Sequence, residues 1–533
     1  MTRLFARLGQ LDRSTLVAAV VVFYVFGAAL TWAALTPVGA APDEPGHIAY
    51  AAAVVRGDIG ELVAGSEETR QRLIVVTAPE WVNSFTSPPR SVAEFNYPCF
   101  ADNVSATADC APNLTGSKTL SEVPTTVGRY PPLFHAVVGL PTLVLSGNRA
   151  VYAMRIMAAG MAAGMLALGL TVAAPSRRIW LGLGAAIAFT PTAAHLAGSV
   201  NPSGLEISAA LGLGIGLMGI TGSRAPSKWL TPTVVVLSFA VAWSRPLGYL
   251  TLAAVIAASA LINGENLRAW LLDTRRRLAP VIGVGAAFVS AVIYRFAWGL
   301  PVRAASAEGP ATGSTLFTSP GLDGGLEDVE NHLIDWTLDL VGQFGWADHS
   351  PPVSVLFGWT LLVLAVALFV FLGAARRQRI ALTVIGVGAL ILAPLLAVTG
   401  FINTSAYQAR YHLPVAVLVI IGLAAIAARM DLSEERRLSL QLLRWGAALA
   451  PLAILISVAA SVHRYSFGFE AQLVDLGSLL GDSTQWLPPG EAFAIAAPGL
   501  AIVLTTAVLG VAFALSPPQQ VDPEPAASHN GSS

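Results

Sequence analysis

The chain has 533 residues, of which 31 are Lys or Arg and 32 are Asp or Glu, so 12% are charged against 54% hydrophobic. That is about half the charge of an ordinary soluble domain, too little to clothe a water-facing surface of this size. A formal net charge of −1 likewise offers no polycationic face to a nucleic acid.

Charge-free runs set the fold class. Ser14–Pro42 holds 29 such residues, Ile179–Leu205 holds 27, and Ile380–Ala409 and Ala492–Val521 hold 30 each. A bilayer core takes about 20 apolar residues per helix, and lipid leaves no partner for an open backbone. An all-α integral membrane protein is therefore expected. Dividing the chain at its charges gives twelve transmembrane helices, within 14–42, 156–176, 179–205, 207–223, 229–244, 246–264, 278–294, 349–375, 380–409, 411–428, 445–462 and 492–521. The first run exceeds the about 7–15 apolar residues of a cleavable leader and is expected to remain as a span.

Lys and Arg in short loops fix the sidedness. With the N-terminus inside, 18 of the 31 basic residues fall on the cytoplasmic side, among them Arg13, Arg177, Arg178, Arg376, Arg377, Arg379, Arg429 and Arg444. The expected organisation is a cytoplasmic stub (1–13), a polytopic membrane domain (14–515) with large outer loops at 37–148, 300–350 and 463–491, and a disordered cytoplasmic tail (516–533) rich in Pro, Gln, Ala and Ser. The apolar stretch 132–146 is short and interrupted by Pro141, so it should lie in the outer interface or re-enter it. The only two cysteines, Cys99 and Cys110, share the first outer loop, where an oxidising compartment favours a disulfide between them.

Five polar clusters map to the outer ends of spans, where ionisable groups are expensive. Asp43, Glu44 and His47 follow the first span. Helix capping, with Asp43 or Glu44 at the N-cap and Pro45 next, accounts for part of this. Two carboxylates at a membrane surface also suit a general base, and with His47 they leave a shared divalent cation open. Asn201 and Glu206 bracket a turn-forming Asn-Pro-Ser-Gly. Arg245 is the sole charge between Lys228 and Glu265. It suits either snorkelling to lipid phosphate or an anchor for the phosphate of a lipid-borne substrate. Trp346 and Asp348 precede the eighth span beside His349, and Gln408, Arg410 and Tyr411 open the tenth, making a cationic, aromatic patch suited to phosphate or sugar.

The stretches PDEPGH (42–47), GWAD (345–348) and ARYHLP (409–414) resemble the motifs of bacterial multi-pass proteins of the DUF2142 type, grouped with the GT-C glycosyltransferases. The resemblance covers roughly 40–465, with Ala409 in place of a usual Gly. It implies a GT-C-like fold and transfer of a sugar from a polyprenyl-phosphate donor to a glycan, lipid or protein acceptor outside the membrane. It further implies Asp43, and after it Glu44, as base or metal ligand, and Arg410 as a donor-phosphate contact. A transporter or flippase of lipid-linked saccharides is the competing reading of so many spans. Ala, Gly and Val richness, with Arg over Lys, points to a GC-rich bacterium and its plasma membrane.

Overall fold

The computed structural model describes residues 12–63, 73–86, 100–101, 103, 105–111, 114, 117–125, 127–222, 227–272, 278–299, 321–398, 408–431, 433–468 and 486–516. Helix α1 (Arg13–Leu35) starts where the Asp12 carboxylate accepts from the Thr15 amide, and it stops at an extended Thr36 before Pro37. A short helix, α2 (Glu44–Val54), follows. The chain after α2 then forms an antiparallel sheet of β1 (Glu61–Val63), β2 (Leu73–Pro79) and β3 (Leu120–Thr125), in register through Leu62↔Ile74 and Val76↔Val123. Ile74, Val76 and Ala78 are buried while Thr77 is exposed, the period-2 alternation of a strand covered on one face. This sheet is an addition to the all-α expectation.

The rest of the chain is helical: α3 (Pro132–Val138), α4 (Gly147–Val172), α5 (Pro175–Ala188), α6 (Pro191–Ala197), α7 (Pro202–Met218), α8 (Leu230–Ala242), α9 (Gly248–Leu272) and α10 (Leu278–Tyr294). After these come α11 (Gly321–Asp339), α12 (Val353–Gly373), α13 (Arg376–Val398), α14 (Leu413–Ala427), α15 (Glu434–Phe467) and α16 (Gly490–Leu515). Every residue of α7 is buried, beneath α4, α8, α9 and α14. Close approach needs small residues: a Cβ on Gly169 would lie 2.2 Å from the Gly212 carbonyl oxygen, and one on Gly212 would lie 2.3 Å from that of Met165. By contrast α12 and α13 present Leu361, Leu364, Leu368, Val384 and Leu390 outward, as lipid-facing helices do.

Seven of the described helices are long and apolar enough to cross a membrane: α1, α4, α9, α10 with its following turn, α12, α15 and α16; α5 and α6 together make an eighth. These two meet at 83°, so the run expected as a single span over 179–205 is a bent pair. The cause is local, since Thr190 caps α6 by accepting from the Ala193 amide and Pro191 starts it. Similarly, α4 begins at Gly147 rather than near 156, drawing Arg149 and Arg155 into the helix. As expected, 132–146 does not span; it is α3 followed by a 3-10 turn, Leu140–Leu143. Cys110 is disulfide-bonded. Cys99, Tyr407 and the tail beyond Ser516 lie outside the described residues.

Polar groups collect at the two ends of α1, whose 23 residues cover about 34 Å at ~1.5 Å each. At its start Arg178 donates to Thr15. Nearby, Arg177 donates to the Met218 and Ile220 carbonyls, and Arg429 to the Ile262 carbonyl. At its end lie the acidic and histidine clusters. Replacing Gly212 by Val should lower stability by about 1–3 kcal/mol through overpacking. Gly160→Val, where a Cβ meets nothing within 4 Å, should be neutral. Thermal unfolding of both variants in detergent checks the pair.

Candidate functional site

The turn between α1 and α2 organises the end of the molecule at which α1 stops. Glu44 and Arg155 are both fully buried, with Arg155 Nε and Nη2 donating to the two Glu44 carboxylate oxygens at 2.8 and 2.6 Å. The same guanidinium donates to the carbonyls of Ala33, Thr36 and Pro37, and the Gly39 and Val200 amides donate to Glu44. Five acceptor contacts on the arginine and four donor contacts on the carboxylate satisfy this buried pair. Glu44, expected beside Asp43 as a catalytic carboxylate, is instead the tie that fixes the turn; its oxygens have no room for a substrate proton.

Asp43 points the other way. Its backbone is left-handed (φ 58°, ψ 7°), unusual for a non-glycine residue, and although it stands at the N-cap of α2 its side chain makes no cap bond. The carboxylate accepts from Arg410 Nη2 at 2.6 Å and is 30% exposed. Arg410 also donates to the Pro42 carbonyl, and Asn201 Nδ2 donates to that same oxygen while its Oδ1 caps α7. Arg245 donates to the Arg410 carbonyl at 3.2 Å and lies 3.6 Å from a Glu206 oxygen; Glu206 in turn accepts from Thr251 at 2.6 Å. The guanidinium carbons of Arg245 and Arg410 stand 4.8 and 5.3 Å from the Tyr411 ring centroid. Thus Asp43, Asn201, Glu206, Arg245, Arg410 and Tyr411, from four separate stretches of sequence, form one cluster of two cations and two anions. Among the described residues, Nε of each of these two arginines is buried without an acceptor, and half-buried Gln408 has no partner for its Oε1.

His47 faces away from the carboxylates. Its Nδ1 lies 3.0 Å from His135 Nε2, and His135 Nδ1 lies 3.2 Å from the Pro131 carbonyl. Only an N–H satisfies a carbonyl, so His135 carries its proton on Nδ1 and His47 donates to it. Burial holds the His135 imidazole at about 3 and, with the neighbouring His135 and the charges of Arg410 and Arg245, holds His47 well below its ordinary value. Both rings are neutral packing partners at physiological pH. The shared divalent cation left open for Asp43, Glu44 and His47 does not fit these side chains, because Glu44 is saturated by N–H donors and His47 is turned to His135. Among the described residues no three His, Cys, Asp or Glu side chains converge as metal ligands.

The 344–349 loop docks on the same turn, Trp346 Nε1 donating to the Gly39 carbonyl at 3.1 Å. Gly345 (φ 59°) and Ala347 (φ 70°) both adopt positive φ, at a cost for alanine of about 1–2 kcal/mol. Asp348 offsets it by accepting from His349 Nδ1 at 2.9 Å and from Arg464 at 3.1 Å, while His349 Nε2 lies in hydrogen-bond contact with the Ser461 hydroxyl at 2.9 Å. Arg464 continues to the carbonyls of Phe100, Asn103 and Ala106, fastening the segment beside Cys110. Burial alone would raise the Asp348 carboxyl; the hydrogen bond from His349 and the charge of Arg464 outweigh it and hold it below the usual range. Trp346 therefore borders the turn, whereas Asp348, expected to bind substrate, is committed to the loop.

Sequence reasoning missed Arg155, Thr251, His135, Ser461 and Arg464. Arg155 and Arg464 did carry a signal, as single charges inside otherwise apolar helical stretches. The family model of a predicted membrane protein, DUF2142, matches residues 26–419, and the chain belongs to that family. No curated protein and no solved structure matches the chain.

Glu44→Gln should destabilise the protein by about 3–5 kcal/mol by leaving Arg155 charged and underpaired, whereas Asp43→Asn should leave unfolding within about 1 kcal/mol of wild type. Chemical unfolding followed by tryptophan fluorescence distinguishes them. Because the Asp348 pKa falls on folding, its contribution is fully present above the unfolded carboxylate range and is lost as pH falls below that range through the lower folded value. Acidification from about pH 6 to below the ordinary carboxylate range should release hydrogen-exchange protection at Phe100, Asn103 and Ala106; in Asp348→Asn these positions should already be open at about pH 6.

Proposed function

We propose that the protein is a membrane glycosyltransferase of the GT-C type. It transfers a sugar from a polyprenyl-phosphate donor to an envelope glycan, lipid or protein acceptor on the extracytoplasmic face of the plasma membrane. The observation that carries this reading is the partly exposed Asp43 carboxylate paired with Arg410 and adjoined by Arg245, at the end of α1 opposite the arginine-rich face. Twelve spans belong to the same proposal. They are reached by counting α5 and α6 as one, and by adding α7, α8, α13 and α14 to the seven long helices. Both termini are then cytoplasmic.

In this mechanism the lipid donor enters laterally and its phosphate takes the free Nε–H groups of Arg410 and Arg245, drawing Arg410 off Asp43. The acceptor hydroxyl attacks the anomeric carbon from the face opposite the phosphate. Its C–O bond forms as the sugar–phosphate bond breaks, the electron pair leaves on the phosphate oxygen held by the arginines, and the hydroxyl proton passes to Asp43. Tyr411 holds the two guanidiniums in place, and Trp346 offers a ring to the acceptor sugar.

Purified protein in bilayers, supplied with a panel of polyprenyl-phosphate sugars and acceptor glycans, should release polyprenyl phosphate. Asp43→Asn should lower the rate by about 10²–10⁴ with the fold intact. Full activity in Asp43→Asn removes the base. Movement of the donor across the bilayer without release of polyprenyl phosphate replaces the transferase with a transporter.

A further inference from the structure

The arginines at the start of α1 divide into two groups. Several are spent on protein carbonyls: Arg177 on Met218 and Ile220, Arg429 on Ile262, Arg379 on Ala374 and Leu372, and Arg444 on Ser516. Arg376 makes no hydrogen bond or ion pair among the described residues, and Arg377 is exposed, its one partner being the exposed Glu265. These two guanidiniums rim a 430 Å³ cleft between α9 and α13 whose walls are Ala260, Leu261, Ile380 and Ala381. That volume lies within the about 300–1,000 Å³ of small-molecule sites.

The cleft is preformed. Helix α9 breaks at Asn263 (φ −126°, ψ 22°), and the break is pinned by Arg429 on the Ile262 carbonyl and by Asn263 Nδ2 on those of Leu217 and Ile220. On the other side, Arg379 folds back on the carbonyls preceding α13 and fixes its first turn. Leu261 and Ile380 remain exposed between these anchors. An apolar trough opening toward lipid, crowned by two cations and one carboxylate, is matched by a molecule with an anionic head and hydrocarbon beneath it. A free anion would leave the apolar walls in contact with water, and a zwitterionic head would bring its own cation to the arginines.

We infer that the Arg376–Arg377 cleft is a binding site for an anionic phospholipid, its phosphate on the two guanidiniums and its upper acyl chain along Leu261 and Ile380. The inference requires nothing of the reaction proposed above. Native mass spectrometry of the full chain, titrated with phosphatidylglycerol or with phosphatidylethanolamine of the same chain length, tests it. Each arginine near a lipid phosphate contributes about fivefold in affinity. Phosphatidylglycerol should therefore bind at least about tenfold more tightly than phosphatidylethanolamine, and Arg376→Gln with Arg377→Gln should bring the two lipids level. Glu265→Gln, which frees Arg377, should strengthen phosphatidylglycerol binding, and it serves as the test if the double variant fails to fold. Equal affinity for both lipids in wild type overturns the site, as does phosphatidylglycerol binding unmoved by the substitutions. Full competition by millimolar inorganic phosphate overturns the lipid and leaves a simple anion site.

Discussion

One buried ion pair holds together the end of this molecule at which α1 stops. Removing a carboxylate and a guanidinium from water costs several kcal/mol for each ion, and their attraction repays that only when the remaining hydrogen-bonding positions are filled. Here they are filled from the backbone: three residues at the end of α1, Ala33, Thr36 and Pro37, supply carbonyls to Arg155, while Gly39 and Val200 supply amides to Glu44. The pair is thus less a contact between two side chains than a knot through which α1, α4, the turn after α1 and the approach to α7 are held at once. The docking of Trp346 and the position of Asp43 both depend on the shape this knot gives to residues 37–44.

The knot also explains why adjacent carboxylates end in opposite environments. The left-handed backbone at Asp43 reverses the direction of its side chain relative to Glu44, sending one acid inward and the other to the cluster edge. The inner acid is surrounded by fixed dipoles. The outer one belongs to a quartet with Arg410, Arg245 and Glu206 in which two carboxylates balance two guanidiniums. Strained backbone occurs in the two segments that meet here, at Asp43 and at Ala347.

The membrane-protein class and the separation of the polar clusters from the arginine-rich end were legible in the sequence, because burial is costly enough to make isolated charges informative. What escaped was partnership across distance. Arg155 sits 111 residues from Glu44, and a charge taken as the boundary of a span looks the same whether it borders lipid or is buried against a carboxylate. The bend at Thr190 was written in Pro191, yet an apolar run without charges overrides that sign when length alone defines a span. Asp348 looked available because Ser461 and Arg464, which set its loop, lie on a helix more than a hundred positions later.

That helix, α15, has a further implication. Its 34 residues extend for about 51 Å at ~1.5 Å each, with Arg436 on the Trp180 ring near one end and Ser461 and Arg464 at the other. It acts as a ruler between the two faces. One extra residue at its middle would advance everything beyond by about 1.5 Å and rotate it by about 100°, taking Ser461 off His349 and Arg464 off Asp348 together. A whole-turn insertion would restore the phase and still overshoot the loop. The spacing of the two surfaces is therefore written into the length of this rod as firmly as the chemistry is written into the side chains at its tip.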